Sequence, residues 1–178
     1  MTEEKKAAQG RTEIVFILDR SGSMSGLESD TIGGFNGMLR RQQEESTDIL
    51  VSTVLFDDEV EVIHDRVPIE KVAPLTGREY FTRGCTALLD AIGDSIQHIR
   101  NIHKYAREED RPVRTMFVIT TDGLENSSVR YTAKKIKKLI GHQEKKHGWE
   151  FVFLGANMDA VAVAGDLGIR RENSVEFA

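Results

Sequence analysis

Ile14-Val15-Phe16-Ile17-Leu18-Asp19-Arg20-Ser21-Gly22-Ser23 passes from an unbroken apolar run into a polar, glycine-containing loop. Such a run fits a central parallel strand covered on both faces. In an extended segment, positions i, i+2 and i+4 point the same way. The oxygens of Asp19, Ser21 and Ser23 therefore converge above the end of this strand. One carboxylate and two hydroxyls make a hard donor set, suited to Mg²⁺, Mn²⁺ or Ca²⁺ and not to zinc. The stretch reads as half of a metal site.

Working outward, apolar runs alternate with segments of helical period. Leu27, Ile32, Phe35, Met38 and Leu39 recur at helical spacing through about Glu45, and Ile49 to Phe56 is a second strand. After the turn at Asp57-Asp58, Val60 and Val62 alternate with Glu59 and Glu61. So short a connection makes this an antiparallel edge strand. An irregular segment runs from about His64 to Gly84. Leu88, Ile92, Ile96 and Ile99 mark a second helix, and Val113 to Thr121 is a further strand that ends in Asp122-Gly123. Val129 to His147 reads as helix, Trp149 to Leu154 as strand, Asp159 to Leu167 as a short helix and Ser174 to Phe177 as a last strand.

The alternation predicts an α/β fold: a Rossmann-like, doubly wound and mostly parallel sheet of about six strands, with one antiparallel edge strand and helices on both faces. Such sheets bind ligands at the carboxyl ends of strands, where the strand order reverses. With the first and fourth strands as neighbours, Asp19 and Asp122 flank that point. Residues 1–11 read as a charged, flexible tail and residues 12–178 as a single domain.

Composition narrows the function. The 178 residues, 39% hydrophobic and 30% charged, describe an ordinary globular chain. A net charge of −5 argues against non-specific nucleic-acid binding. The lysines at 134, 135, 137 and 138 fall on a helical pattern and read as a solvated face. Cys85 is the one cysteine, which excludes an internal disulfide and zinc-finger chemistry. No stretch is long and apolar enough to span a bilayer, and no signal-like segment is present, so the expectation is a cytoplasmic protein without membrane contact.

Several residues have plainer readings. Taken alone, Thr86 reads as the cap of the helix that follows it. Cys85 reads as a small buried residue, and Asp57, Asp58 and Glu59 as a solvated turn. His98, His103, His142 and His147 fall on polar helical positions and read as surface residues. His64 follows the edge strand. Trp149 is expected to pack at the start of its strand.

As a set, Asp19-x-Ser21-x-Ser23 after the first strand, Thr86 before a mid-chain helix and Asp122-Gly123 after the fourth strand resemble the von Willebrand factor A family and its metal-ion-dependent adhesion site. The resemblance covers about Thr12 to Phe177 and fills all five ligand positions. It implies that Ser21 and Ser23 bind the metal directly, with Thr86, Asp19 and Asp122 bound directly or through water. Mg²⁺ is the expected ion, with Mn²⁺ or Ca²⁺ as alternatives.

Three hydroxyls and at most two carboxylates leave such an ion under-neutralised. A Glu or Asp of a partner protein would complete it, in a binding module without catalysis. The alternative is a Mg²⁺-dependent phosphatase or other hydrolase of the α/β class. There, a haloacid dehalogenase-like nucleophile at Asp19 would need an acid two positions on, where Ser21 stands. The resemblance also implies a further helix after the last strand, whereas the chain stops at Ala178. An uncovered apolar strip and self-association through it are the corresponding expectation.

Overall fold

The computed structural model describes residues 10–46 and 48–177. Most of the tail expected over residues 1–11 therefore lies outside the described residues, but Arg11 already belongs to the fold. Its guanidinium pairs with Asp48 at 3.2 Å, and its carbonyl accepts the Val113 N–H.

Six strands form one sheet in the order β3-β2-β1-β4-β5-β6: β1 Thr12–Asp19, β2 Ile49–Phe56, β3 Val60–Pro68, β4 Arg114–Thr121, β5 Glu150–Gly155 and β6 Ser174–Glu176. All neighbours are parallel except β2 and β3. The helices are α1 Glu28–Glu45, α2 Leu88–Tyr105, α3 Ala133–His147 and α4 Met158–Asp166. The expected doubly wound α/β architecture is present. Among the described residues, no helix is long and apolar enough to cross a membrane.

The unbroken apolar character of β1 has a simple cause, because its two faces meet different layers. Val15 and Ile17 join a core with Phe117, Phe151, Phe153 and the apolar stripes of α2, α3 and α4. Ile14, Phe16 and Leu18 face the other way, onto Phe35 and Leu39 of α1 and onto Ile69, Val72, Leu75 and Tyr80 of the β3–α2 connection. Each fully buried Phe or Ile contributes roughly 1.5–3 kcal/mol. Trp149 packs where expected, its indole stacked on Phe117 with ring centroids 5.3 Å apart.

Local chemistry sets the ends of the helices. Thr132 caps α3 by accepting the Lys135 N–H, and Asn157 caps α4 by accepting the Ala160 N–H. Helix α3 therefore starts at Ala133, later than the expected Val129. Residues 129–131 are drawn instead toward Asp90, whose carboxylate accepts the backbone N–H groups of Val129, Arg130 and Tyr131.

A second correction concerns β3, which runs on to Pro68 through part of the segment expected to be irregular. The register with β2 shifts between Val51 and Val54, and Arg66 adopts a left-handed φ of 55°. Its N–H bonds Ser52 Oγ at 3.0 Å. The bulge breaks the polar/apolar alternation and hides the strand from a pattern reading. His64 lies within this strand and contacts Thr53 Oγ1 at 2.8 Å, away from the sheet's carboxyl end.

Candidate functional site

The carboxyl ends of β1 and β4 lie side by side, with Leu18 opposite Thr120. Asp19 and Asp122 therefore leave the sheet next to one another, at the switch point of the strand order.

Asp19 is wholly buried. Its Oδ1 accepts the Ser21 N–H at 2.8 Å, and its Oδ2 accepts the Thr121 hydroxyl at 2.7 Å. The Tyr80 hydroxyl donates to the Asp19 carbonyl. Burial pushes the Asp19 carboxyl up to about 6. The bonds from Ser21 and Thr121 work against that rise, and the nearby charge of Asp122 adds to it. Neither Asp19 nor Asp122 forms an ion pair with a described residue.

The other donors sit on loops tied to this point. The Ser21 and Ser23 hydroxyls are 2.9 Å apart. The Gly22 N–H donates to the Gly84 carbonyl at 3.0 Å, which joins the first loop to the one carrying Thr86. Thr86 in turn is laced to the loop after Asp122. Its N–H donates to Asn126 Oδ1, and its carbonyl accepts the N–H groups of Asn126 and Ser127. Its side chain does not cap α2. Three loops are thus bonded into one unit around Asp19, Ser21, Ser23, Thr86 and Asp122. Gly123 has a φ of +84°, and a Cβ there would lie 2.6 Å from the Ala160 backbone, so only glycine lets this loop close onto α4.

Arg20, between the donors, turns away from them. Its guanidinium is buried and bonds Asp57 at 3.3 Å and Glu61 at 2.9 Å. Arg83 also pairs with Asp57, at 2.7 Å. Asp57 is only 1% exposed, which corrects the expectation of a solvated turn. Burial alone would raise the Asp57 pKa, but bonds from Arg83 and the Glu59 N–H, with the charge of Arg20, hold it below the usual range. The Ala87 N–H donates to the Asp57 carbonyl at 2.8 Å, so this pair network braces the loop before α2. Cys85 is exposed, not buried as expected.

Pattern reading missed the groups that support the donors. Thr121 carried a readable signal, since it ends β4 directly opposite Asp19. Tyr80 carried none, coming from an irregular connection far away in sequence.

The donor set can be tested against a cation by its chemistry. Two carboxylates without a cationic partner, one of them fully buried, stand beside three hydroxyls. Among the described residues, no three His, Cys, Asp or Glu side chains cluster as a metal site. What the loops offer is oxygen-only and hydroxyl-rich, which fits a hard divalent ion that retains water.

No family model matches the sequence, and no curated protein matches it. Solved structures do. A manganese-loaded TRAP protein of Plasmodium vivax matches 93% of this chain and 68% of its own, with a TM-score of 0.63 and 15% identity. The fold is von Willebrand factor A-like. The N-terminal domains of the type V pili tip protein Mfa5 of Porphyromonas gingivalis match 94% of this chain, with a TM-score of 0.68 and 10% identity. The pilus adhesin SpaC of Lactobacillus rhamnosus GG matches 93%, with a TM-score of 0.66 and 12% identity. This chain spans 47% of the Mfa5 structure and 28% of SpaC. At these identities the likeness is one of fold.

Proposed function

We propose that this protein is a metal-dependent, adhesion-type interaction module in which Asp19, Ser21, Ser23, Thr86 and Asp122 hold a divalent cation. Mg²⁺ is the favoured ion, with Mn²⁺ or Ca²⁺ as substitutes. The observation that carries this reading is the pair of carboxylates at the switch point, left without a protein cation while Arg20 is drawn off to Asp57 and Glu61. When bound, the ion supplies a positive centre with room for one more oxygen ligand, and a Glu or Asp of a partner protein suits it.

The chain's own residues do the rest. Asp19 fixes the first loop through the Ser21 N–H. Thr121 holds the Asp19 carboxylate, Tyr80 holds the Asp19 carbonyl, and Asn126 orients Thr86 through its backbone N–H. Fold neighbours named as adhesins and pilus proteins, one of them manganese-loaded, support an adhesion role. A hydrolase reading has less support, since position 21, where a general acid would stand, is a serine.

Thermal unfolding with added Mg²⁺ or Mn²⁺ tests the metal. The midpoint rises in the wild type and stays flat in Asp122→Ala, and a flat wild type would overturn the site. Capture of protein partners from native lysate tests the interaction. It is lost in EDTA and in Asp122→Ala; capture indifferent to both sinks the adhesion reading even if metal binds.

A further inference from the structure

At the amino ends of β4 and β5, opposite Asp19, lies a cavity of about 380 Å³ between the last turns of α2 and α3. The chain as a whole is acidic, yet no acidic residue lines this cavity. Four permanent cations do: Arg100 and Lys104 from α2, Arg111 from the loop before β4, and Lys146 from α3. None of the four pairs with an aspartate or glutamate among the described residues.

His103, His142 and His147 add three imidazoles to the wall. His147 registers the crowding. Burial lowers its pKa, and the charges of His142, Lys146, Arg100 and His103 lower it further.

The dipoles of two helix carboxyl ends give a local reason for basic residues in their last turns. They also account for Arg111, whose Nη2 donates to the Lys104 carbonyl in the last turn of α2 at 3.4 Å, but not for Arg100, a turn further back in α2. A second, independent observation lies in the wall itself. Gln143 is fully buried and lines the cavity, yet neither its side-chain nitrogen nor its oxygen has a hydrogen-bond partner. A buried amide without partners costs about 1–3 kcal/mol, so such groups call for an explanation. A bound ligand supplies one.

We propose that this cavity is a binding site for a small molecule carrying two or more phosphate groups. The volume lies in the range of small-ligand sites. Four unpaired cations match the charge of a di- or triphosphate. Two of them are guanidinium forks, whose planar donors fit phosphate oxygens in pairs. After a side-chain rotation that brings its amide to the cavity surface, Gln143 would donate to one phosphate oxygen from Nε2. The site is independent of the metal-binding loops at the other end of the sheet.

The test is calorimetric titration in EDTA at about 0.15 M ionic strength, so that the metal site takes no part. The probes are inorganic tripolyphosphate and citrate. Tripolyphosphate should bind the wild type at least about tenfold more tightly than citrate. Arg100→Gln and Lys146→Gln should each weaken it about tenfold, and Asp122→Ala should leave it unchanged. Gln143→Leu adds a readout that a purely structural role would not give: weaker binding with an unfolding midpoint no lower than wild type. The proposal is overturned if tripolyphosphate shows no binding at about 10 mM. It also fails if the Arg100→Gln/Lys146→Gln double variant binds as the wild type does, or if citrate binds equally well.

Discussion

Glu13 and Asp19 occupy the two ends of β1, point to the same face of the sheet and are both fully buried, yet they are treated in opposite ways. Glu13 receives Arg66 at 2.6 Å and His103 at 2.6 Å. Burial alone would raise its pKa, but the bonds and charges of His103 and Arg66 outweigh that and hold it below the usual range. Asp19 receives only neutral donors, and its carboxyl is pushed up to about 6. One carboxylate is neutralised from within the fold. The other receives no cation from the described residues. Two equally buried acids are thus told apart by their partners and not by their burial.

Substitution tests this contrast most severely. Glu13→Gln leaves Arg66 and His103 facing a neutral amide and should lower unfolding stability by about 3 kcal/mol in urea titration. A neutral result would erase the contrast. Next in size is the effect of metal. At a hundredfold excess over its dissociation constant, Mg²⁺ should stabilise the wild type by about 2.7 kcal/mol and leave Asp19→Asn unmoved.

In EDTA the same Asp19→Asn change removes an uncompensated buried charge. It should raise stability at neutral pH by up to about 2 kcal/mol, the reverse of Glu13→Gln. Equal losses in the two variants would show that both acids are structural.

The smallest effect is in acid. Glu13 has a folded pKa below its ordinary value of 4.5, so its ion pairs add stability that is fully present above that pH. This contribution is lost as the pH falls through the lower folded value. Between about pH 5 and about pH 3, the wild type should lose more stability than Glu13→Gln does. Parallel acid limbs would remove Glu13 from the account.

The sheet was legible because its central strands are apolar on both faces, and that pattern survives any detail of packing. Strand β3 was only half legible, because the bulge at Arg66 interrupts its alternation. The five donors of the carboxyl end stood out as residue types at fixed offsets from strand ends. What surrounds them did not. Asp57 looked solvated because two acids in a turn ordinarily are, and its burial depends on Arg20 and Arg83 arriving from separate loops. His103 looked like a surface residue, and its contact with Glu13 spans 90 positions of sequence. Long-range pairing of this kind leaves no periodic trace.

The exposed Cys85 stands directly beside Thr86, and the chain has no other thiol. A maleimide dye would therefore label the protein at one defined point, on the rim of the loops that hold the five oxygens. Its fluorescence would give an optical signal for whatever arrives there, without any other change to the chain.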